Sequence, residues 1–302
     1  MHTVARIAPD DHAGFGDFER TETPVVLAGA ARDWPAMRWT KASLTALLGA
    51  AEVKFKLSAT GDHPNFRAAT LPEMFATGTA RFADFLELIT TGPEAERAQR
   101  LITGDERFLL RRRDGVTTID PVLAPLLDDV VVPELVPPEQ LYTVWAWFSG
   151  KGARTWLHYD NNGCHNLNAQ LTGTKECVLY PPSELARLAP FPLGGGNPAY
   201  NCSRLAVSEV PAEAVSLHAR LEPGDLLFIP AWLFHAFVHT GELNCNINFW
   251  WKPWRPTLNP IAARQALLDA AAALGKLDGP TAEVLGRLDR ALTGSSDRSS
   301  SG

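Results

Sequence analysis

Leu157-His158-Tyr159-Asp160 is the stretch in which this sequence first offers the makings of a metal site. On a strand, residues two apart point to the same face. His158 and Asp160 then offer an imidazole nitrogen and a carboxylate oxygen to one point. Far downstream stands His235, in Pro230-Ala231-Trp232-Leu233-Phe234-His235, after the turn Glu222-Pro223-Gly224-Asp225. If strands bring His235 alongside, two histidines and one carboxylate occupy one side of a metal. That facial set suits non-haem Fe(II) and leaves coordination positions open for other ligands.

The chain has eight histidines, so the set has rivals. His165 lies near the first pair. His239 follows His235 at a spacing that shares its strand face. His63 and His218 read as surface residues. Asn244, Asn246 and Asn248 alternate with Cys245, Ile247 and Phe249. Three amides on one strand face suit a wet cavity, although alternation alone also fits an exposed sheet face. Lys175 lies in a segment otherwise heading for a core, where a lysine needs a negative partner.

The elements that must position these residues read as strands. Residues 141–148 (LYTVWAWF) are aromatic and β-branched. Short strand-like runs follow at 155–160, 166–171, 176–180, 225–229, 235–239 and 244–251, separated by Gly, Pro and Asn turns. That is the texture of an antiparallel sandwich or barrel. Upstream, residues 24–27 and 53–57 read as strands. Residues 42–48 read as a helix after a Thr40 cap, and 71–75, 82–89 and 121–127 as short helices. Residues 261–274 and 281–292 read as C-terminal helices. The polar end, 294–302, is too polar to fold.

The 302 residues carry 45% apolar and 21% charged side chains and a net charge of −6. The balance is ordinary for a globular chain and argues against a general nucleic-acid or anionic-membrane binder. No apolar run approaches the roughly 20 residues of a membrane span, and the first residues lack a secretory signal pattern. The four cysteines, Cys164, Cys177, Cys202 and Cys245, form no CxxC and read as reduced, buried thiols of a cytoplasmic protein. The run Arg111 to Arg113 reads as a solvated face.

The segments TWLHYD, NLNAQLTGTKECVLYPP, LEPGDLLFIPAWLFHAF and NINFWW resemble the JmjC-type, cupin-like hydroxylases. These are Fe(II)- and 2-oxoglutarate-dependent oxygenases, and the asparaginyl hydroxylase of the hypoxia response is a well-known member. The N-terminal TPVVLAGAARDWPAMRWT is similar to that family's leader, so the resemblance covers residues 15–251. It implies a mainly β fold: a double-stranded β-helix (jelly-roll or cupin) core at 141–254, a mixed α/β N-terminal segment at 1–140 packing on it, and C-terminal helices at 255–293. It implies His158, Asp160 and His235 as iron ligands and favours His235 over His239. Thr155, Lys175, Asn166, Asn248 and, as a candidate only, Tyr142 match residues around the co-substrate. Lys175 takes its distal carboxylate. The loop Asn161-Asn162-Gly163-Cys164 is longer than the usual pattern.

The implied activity couples O2 and 2-oxoglutarate to hydroxylation of a C–H bond, releasing succinate and CO2. A protein or peptide side chain is the expected substrate, with a free amino acid or small metabolite second and nucleic acid disfavoured by charge. Trp156, Trp232 and Asn246 are candidate substrate contacts. The segment 191–201 is a candidate lid, and the C-terminal helices a candidate homodimer surface. The rival functions are a cupin enzyme that uses metal without 2-oxoglutarate and a non-catalytic cupin-like binding protein. Lys175 favours the oxygenase over the first, since that chemistry gives no reason for a buried lysine.

Overall fold

The computed structural model of the chain describes residues 2–64, 70–74, 76–103, 124–160, 163–191, 199–254 and 259–273. Among these, the N-terminal segment supplies β1 (His2–Thr3), β2 (Ala5–Ile7), β3 (Val25–Leu27), β4 (Glu52–Leu57), β5 (Asp62–His63), β6 (Thr77–Arg81) and β7 (Arg100–Thr103). Then come β8 (Leu141–Gly150), β9 (Arg154–Thr155), β10 (His165–Thr172), β11 (Lys175–Tyr180), β12 (Leu217–Leu221), β13 (Leu226–Ile229), β14 (Phe234–His239) and β15 (Leu243–Trp251).

The strands form two sheets. The small one runs β1-β12-β11-β14-β9-β5 and the large one β2-β3-β13-β10-β15-β8-β7-β4-β6. From β10 onward the chain crosses between them: β10, β13 and β15 lie in the large sheet, β11, β12 and β14 in the small one. This winding is a jelly-roll core with helices outside it, the mainly β class expected from the sequence. The N-terminal strands extend both sheets. Asp225 fastens them, accepting from Arg6 at 2.9 Å and from the Gly29 and Glu222 backbone N–H groups at 3.0 Å.

Strand alternation explains where the core and the cavity sit. On β8, β10 and β15, Val144, Ala146, Phe148, Leu167, Ala169, Ile247 and Phe249 join one apolar cluster with Phe15, Trp39, Leu44, Phe82 and Phe85. The flanking helices His12–Arg20, Lys41–Leu48 and Phe82–Thr90 supply those partners, except Trp39, which closes the 3-10 turn Pro35–Arg38. Each large apolar side chain buried there contributes about 1.5–3 kcal/mol. The intervening residues of the same strands point the other way, between the sheets. Asn244, Asn246 and Asn248 lie there, all 3% exposed or less. Their alternation therefore marks an internal polar wall, not an exposed sheet face.

The expected elements appear with shifts. The helix at Lys41–Leu48 begins at Thr40, which exchanges capping hydrogen bonds with Ser43. Residues 124–129 form a 3-10 helix in place of the helix expected at 121–127. The expected strand at 155–160 stops at Thr155. The Thr155 hydroxyl accepts the Phe237 N–H at 2.9 Å, taking the place of a ladder carbonyl, and regular pairing ends. It resumes at His158, in isolated bridges to His235 and to Cys202. His63, expected at the surface, is buried, with Nε2 3.0 Å from the Ala98 carbonyl.

Only the start of the C-terminal helical region, Pro260–Ala273, is described, and Ile261 packs it onto the small-sheet cluster. The helix expected at 281–292, the second of the two that form the candidate homodimer surface, lies outside the described residues. So do the 294–302 tail, Arg111 to Arg113, Asn161, Asn162 and residues 192–198 of the candidate lid. No described helix is long and apolar enough to cross a membrane.

Candidate metal centre and ligand cavity

His158 and His235 face each other across their bridge. The His158 N–H donates to the His235 carbonyl at 3.0 Å, and the His235 N–H to the His158 carbonyl at 2.7 Å. The two rings stand 4.4 Å apart, centroid to centroid. Each Nδ1 lies against a carbonyl two residues back, Trp156 at 2.6 Å and Leu233 at 2.9 Å. A backbone carbonyl only accepts, so Nδ1 carries the proton and Nε2 keeps its lone pair. Asp160 Oδ1 lies 3.9 Å from His158 Nε2. One ligand atom from each of His158, Asp160 and His235 lies within 4.8 Å of the others. Burial, and then His158 beside it, pushes His235 down to about 4. It is neutral near pH 7, the state a metal ligand requires.

The second carboxylate oxygen is already engaged. Asp160 Oδ2 accepts from Asn166 Nδ2 at 2.9 Å and from Trp250 Nε1 at 2.8 Å. Such partners fix a ligand's orientation. From Asn166 a chain of amides continues inward. Asn248 donates to Asn166 Oδ1 at 2.9 Å and accepts from Asn168 at 3.1 Å and from Asn246 at 2.6 Å. Lys175 Nζ donates to Asn168 Oδ1 at 2.6 Å. A continuous run of hydrogen bonds thus joins the candidate ligand Asp160 to the buried lysine.

Lys175 is 1% exposed. Its ammonium also lies 4.5 Å from the centre of the Phe237 ring. No carboxylate pairs with it among the described residues, and burial lowers its pKa to about 7. The lysine and the three metal-facing residues line one cavity of about 690 Å³. Asp160 is the one carboxylate among the described residues of its wall. This space has an acceptor-poor end at Lys175 and a ligand set at the other, so its chemistry suits an anion that also chelates.

Thr155, Asn166, Asn246 and Asn248 line the cavity as well. Tyr142 does so only at the rim, 42% exposed, with Lys252 Nζ 5.0 Å from its ring centre. Two expected contacts are elsewhere. Trp156 is absent from this wall and borders a second cavity outside the small sheet, its indole donating to the Ser203 carbonyl at 2.8 Å. Trp232 packs against Tyr159 at 5.8 Å. Gly163 leaves room for that ring, since a Cβ there would come within 2.8 Å of it. These tryptophans flank the ligands in sequence but stand on the outer side of the small sheet.

The rival histidines separate cleanly. His165 packs between Phe228 and Trp251, accepts the Ala231 N–H at 3.1 Å, and is pushed down to about 4 by burial. His218 is half-buried and 3.0 Å from Ser216 Oγ, and His239 lines the cavity but stands apart from the triad. Asn168, Trp250, Trp145 and Trp147 line the cavity and were not singled out from the sequence. Period-two alternation with Asn166, Asn248 and Thr143 is the signal that finds them.

A family model described as a cupin-like domain matches residues 13–255. The tRNA wybutosine-synthesizing protein 5 of Danio rerio is 30% identical over 263 residues, covering 81% of this chain and 76% of that protein. The Homo sapiens protein of the same name is 28% identical, covering 76% and 71%. The lysine-specific demethylase JMJ31 of Arabidopsis thaliana is 33% identical over 134 residues, 42% of this chain and 24% of that protein. These names speak of tRNA modification and lysine demethylation, so the likeness to the asparaginyl hydroxylase narrows to one of broad family. With the match running through both sheets and all three metal-facing residues, the chain belongs to the cupin-like domain family.

Proposed function

We propose that this protein is an Fe(II)- and 2-oxoglutarate-dependent oxygenase that hydroxylates a C–H bond in a macromolecular substrate. One observation carries the reading: a two-histidine, one-carboxylate set and a buried lysine with no carboxylate partner among the described residues line the same cavity. The donor set fits Fe(II), with two imidazole nitrogens, one carboxylate oxygen and no thiolate. In the JmjC-type family the bound metal, with O2, couples loss of CO2 from 2-oxoglutarate to oxygen insertion, giving succinate.

The chain's own groups divide the remaining work. His158 Nε2, His235 Nε2 and Asp160 Oδ1 would hold the metal. Asn166 and Trp250, by occupying Oδ2, favour a single carboxylate oxygen on it. Lys175 would take the terminal carboxylate of the co-substrate through a charge-assisted hydrogen bond. Thr155 is a further candidate there, since its hydroxyl accepts from Phe237 N–H and still has its own proton to donate.

For the substrate, the relatives named for tRNA wybutosine synthesis, matched over 76% and 71% of their own length, support a tRNA. The cavity wall adds to this with Tyr142 at the rim and Trp145 beside it, flat faces of the kind on which unstacked bases are bound. This corrects the expectation that charge disfavours nucleic acid. A net charge of −6 averages the whole surface, whereas a substrate meets one mouth. A protein side chain is the second reading, favoured by the partial match to a lysine demethylase. A reducing, cytoplasmic setting fits the four free, buried cysteines.

Anaerobic addition of Fe(II) and then 2-oxoglutarate should produce a weak visible charge-transfer band that is lost in His158→Ala. Succinate release should then rise with a tRNA pool above a peptide or amino-acid panel. A folded protein with no band would exclude the oxygenase reading and leave a cupin that uses metal without 2-oxoglutarate or a non-catalytic one. A band with turnover on peptides alone would exclude RNA.

A further inference from the structure

We infer that Trp147 and His239 are binding residues for the terminal carboxylate of the oxo-acid and that, with Lys175, they make the deep end of the cavity a three-donor anion pocket. The inference rests on the co-substrate reading above and goes beyond it in naming two residues that the family resemblance left unassigned.

Register sets where they stand. Trp250, whose indole bonds Asp160, pairs with Thr143 on β8. Moving along the same faces, Asn248 pairs with Trp145, and Asn246 with Trp147. Trp147 is thus two same-face positions away from the level of the metal ligands. On the small sheet His239 is likewise two same-face positions from His235, and it pairs with Lys175 across β11 and β14. Both residues line the cavity. Both lie toward the lysine, one from each sheet.

Their hydrogen bonding points to a ligand. Trp147 Nε1 and His239 Nδ1 are buried and have no hydrogen-bond partner among the described residues. An indole nitrogen is a donor only, so Trp147 needs an acceptor. The neighbouring amides do not supply one in this fold: Asn248 Oδ1 already accepts from Asn168 and Asn246, and Asn168 Oδ1 accepts from Lys175. A buried donor left unpaired is costly, and a ligand oxygen placed against it removes that cost. Tyr142, the family-matched candidate for this role, stands at the exposed rim. The same service falls to side chains inside the wall. A terminal carboxylate has acceptor sites for the ammonium, the indole N–H and one imidazole N–H together.

Calorimetric titration of the Mn(II)-loaded full chain tests this without turnover. Two ligands are compared: 2-oxoglutarate, and 2-oxobutyrate, which keeps the chelating oxo-acid and lacks the terminal carboxylate. Trp147→Phe and His239→Leu should each weaken 2-oxoglutarate about tenfold and leave 2-oxobutyrate unchanged. His239→Gln, which keeps a donor, should recover most of the loss. Equal weakening of both ligands, or none of either, would overturn the inference while leaving the co-substrate reading intact. A wild-type protein that binds 2-oxoglutarate no better than 2-oxobutyrate would remove that reading itself, and this one with it. The two variants lie on different sheets and Trp147→Phe keeps most of the ring, so misfolding of one leaves the other to decide.

Discussion

Trp250 donates its indole N–H to Asp160 Oδ2 at 2.8 Å, joining the last strand of the jelly roll to a carboxylate in the irregular stretch between β9 and β10. The other donor on that oxygen, Asn166, comes from β10. Asp160 follows the bridge at His158, outside any regular strand. Two side chains from the opposite sheet therefore do for it what a ladder does for His235.

Trp250→Phe should consequently weaken metal binding about tenfold, within the range seen when partners of metal ligands are removed. The ring and its burial remain, so stability should change little. A titration with Mn(II) or Fe(II) under anaerobic conditions reads the effect. Unchanged metal affinity would mean that Asn166 alone fixes the carboxylate.

Lys175 gives a prediction with the opposite sign for stability and function. Its pKa is about 7 in the fold, against 10.5 when exposed, because burial disfavours the ammonium. Between these values the unfolded chain holds more protons than the native one, so this residue makes stability rise with pH from about 7 to about 10.5. Below pH 7 its full penalty of a few kcal/mol is present. Lys175→Met should therefore raise the melting temperature of the ligand-free protein at pH 6.5, and the gain should shrink by pH 9. The same substitution should raise the 2-oxoglutarate requirement far more than it weakens metal binding. A destabilised Lys175→Met at pH 6.5 would show that the amide and ring contacts outweigh burial.

Much of this was legible in the sequence for a simple reason. His158 and Asp160 share a face at period-two spacing, and Lys175 heads a segment that runs on into the apolar Cys177 to Tyr180, so each stands out as a polar group with a task. The jelly roll was legible because Asn166 to Tyr180 and Leu221 to Phe237 carry their turns with them, as at Gly173, where a Cβ would meet the Leu243 carbonyl at 2.3 Å. The rest depends on which face a strand turns inward. Trp145, Trp147 and Trp250 look like core residues because indoles usually are. Only the register across β8, β15 and β10 shows that their apolar neighbours face the helices and they face the cavity. Trp156 and Trp232 misled for the converse reason: proximity to a ligand in sequence does not fix the side of the sheet. The strands β1, β5 and β9 span only two residues each, too few to show a period.

Buried neutral histidines set the acid limit of the fold. Burial lowers His63 and His165 to about 4, and His235 likewise, from 6.5. Their folded values lie below the unfolded one, so the unfolded chain gains protons first as pH falls. The stability they allow is complete above about pH 6.5 and is lost progressively toward pH 4, by up to ~3 kcal/mol each. The metal-free protein should unfold cooperatively within that window in circular dichroism. Saturating Mn(II) should move the midpoint to lower pH, because a metal on His235 competes with its proton. A midpoint indifferent to metal would count against His235 as a ligand.

Asn248 offers the sharpest separation between the metal end and the anion end. Its Oδ1 accepts from Asn168 and Asn246, and its Nδ2 donates to Asn166 Oδ1. Asn248→Asp keeps the shape and the two incoming bonds but turns the outgoing donor into an acceptor facing Asn166. Asn166 can answer by rotating its amide, which takes its Nδ2 from Asp160, or leave two oxygens opposed. The new charge also lies one amide from Lys175 and supplies the anion that the lysine lacks. The terminal carboxylate of 2-oxoglutarate then meets a lysine already compensated and a like charge nearby. Affinity for 2-oxoglutarate should fall at least about tenfold, in keeping with the weight of charged hydrogen bonds in a water-poor cavity. The lysine's contribution to the pH dependence of stability should fade in the same variant, since a nearby carboxylate raises its pKa. Titration of the charge-transfer band reads the first effect, and thermal melts at pH 6.5 and 9 read the second. Lost ligand affinity with an unaltered pH dependence would place the new charge beyond reach of Lys175 and break the proposed continuity of the amide chain.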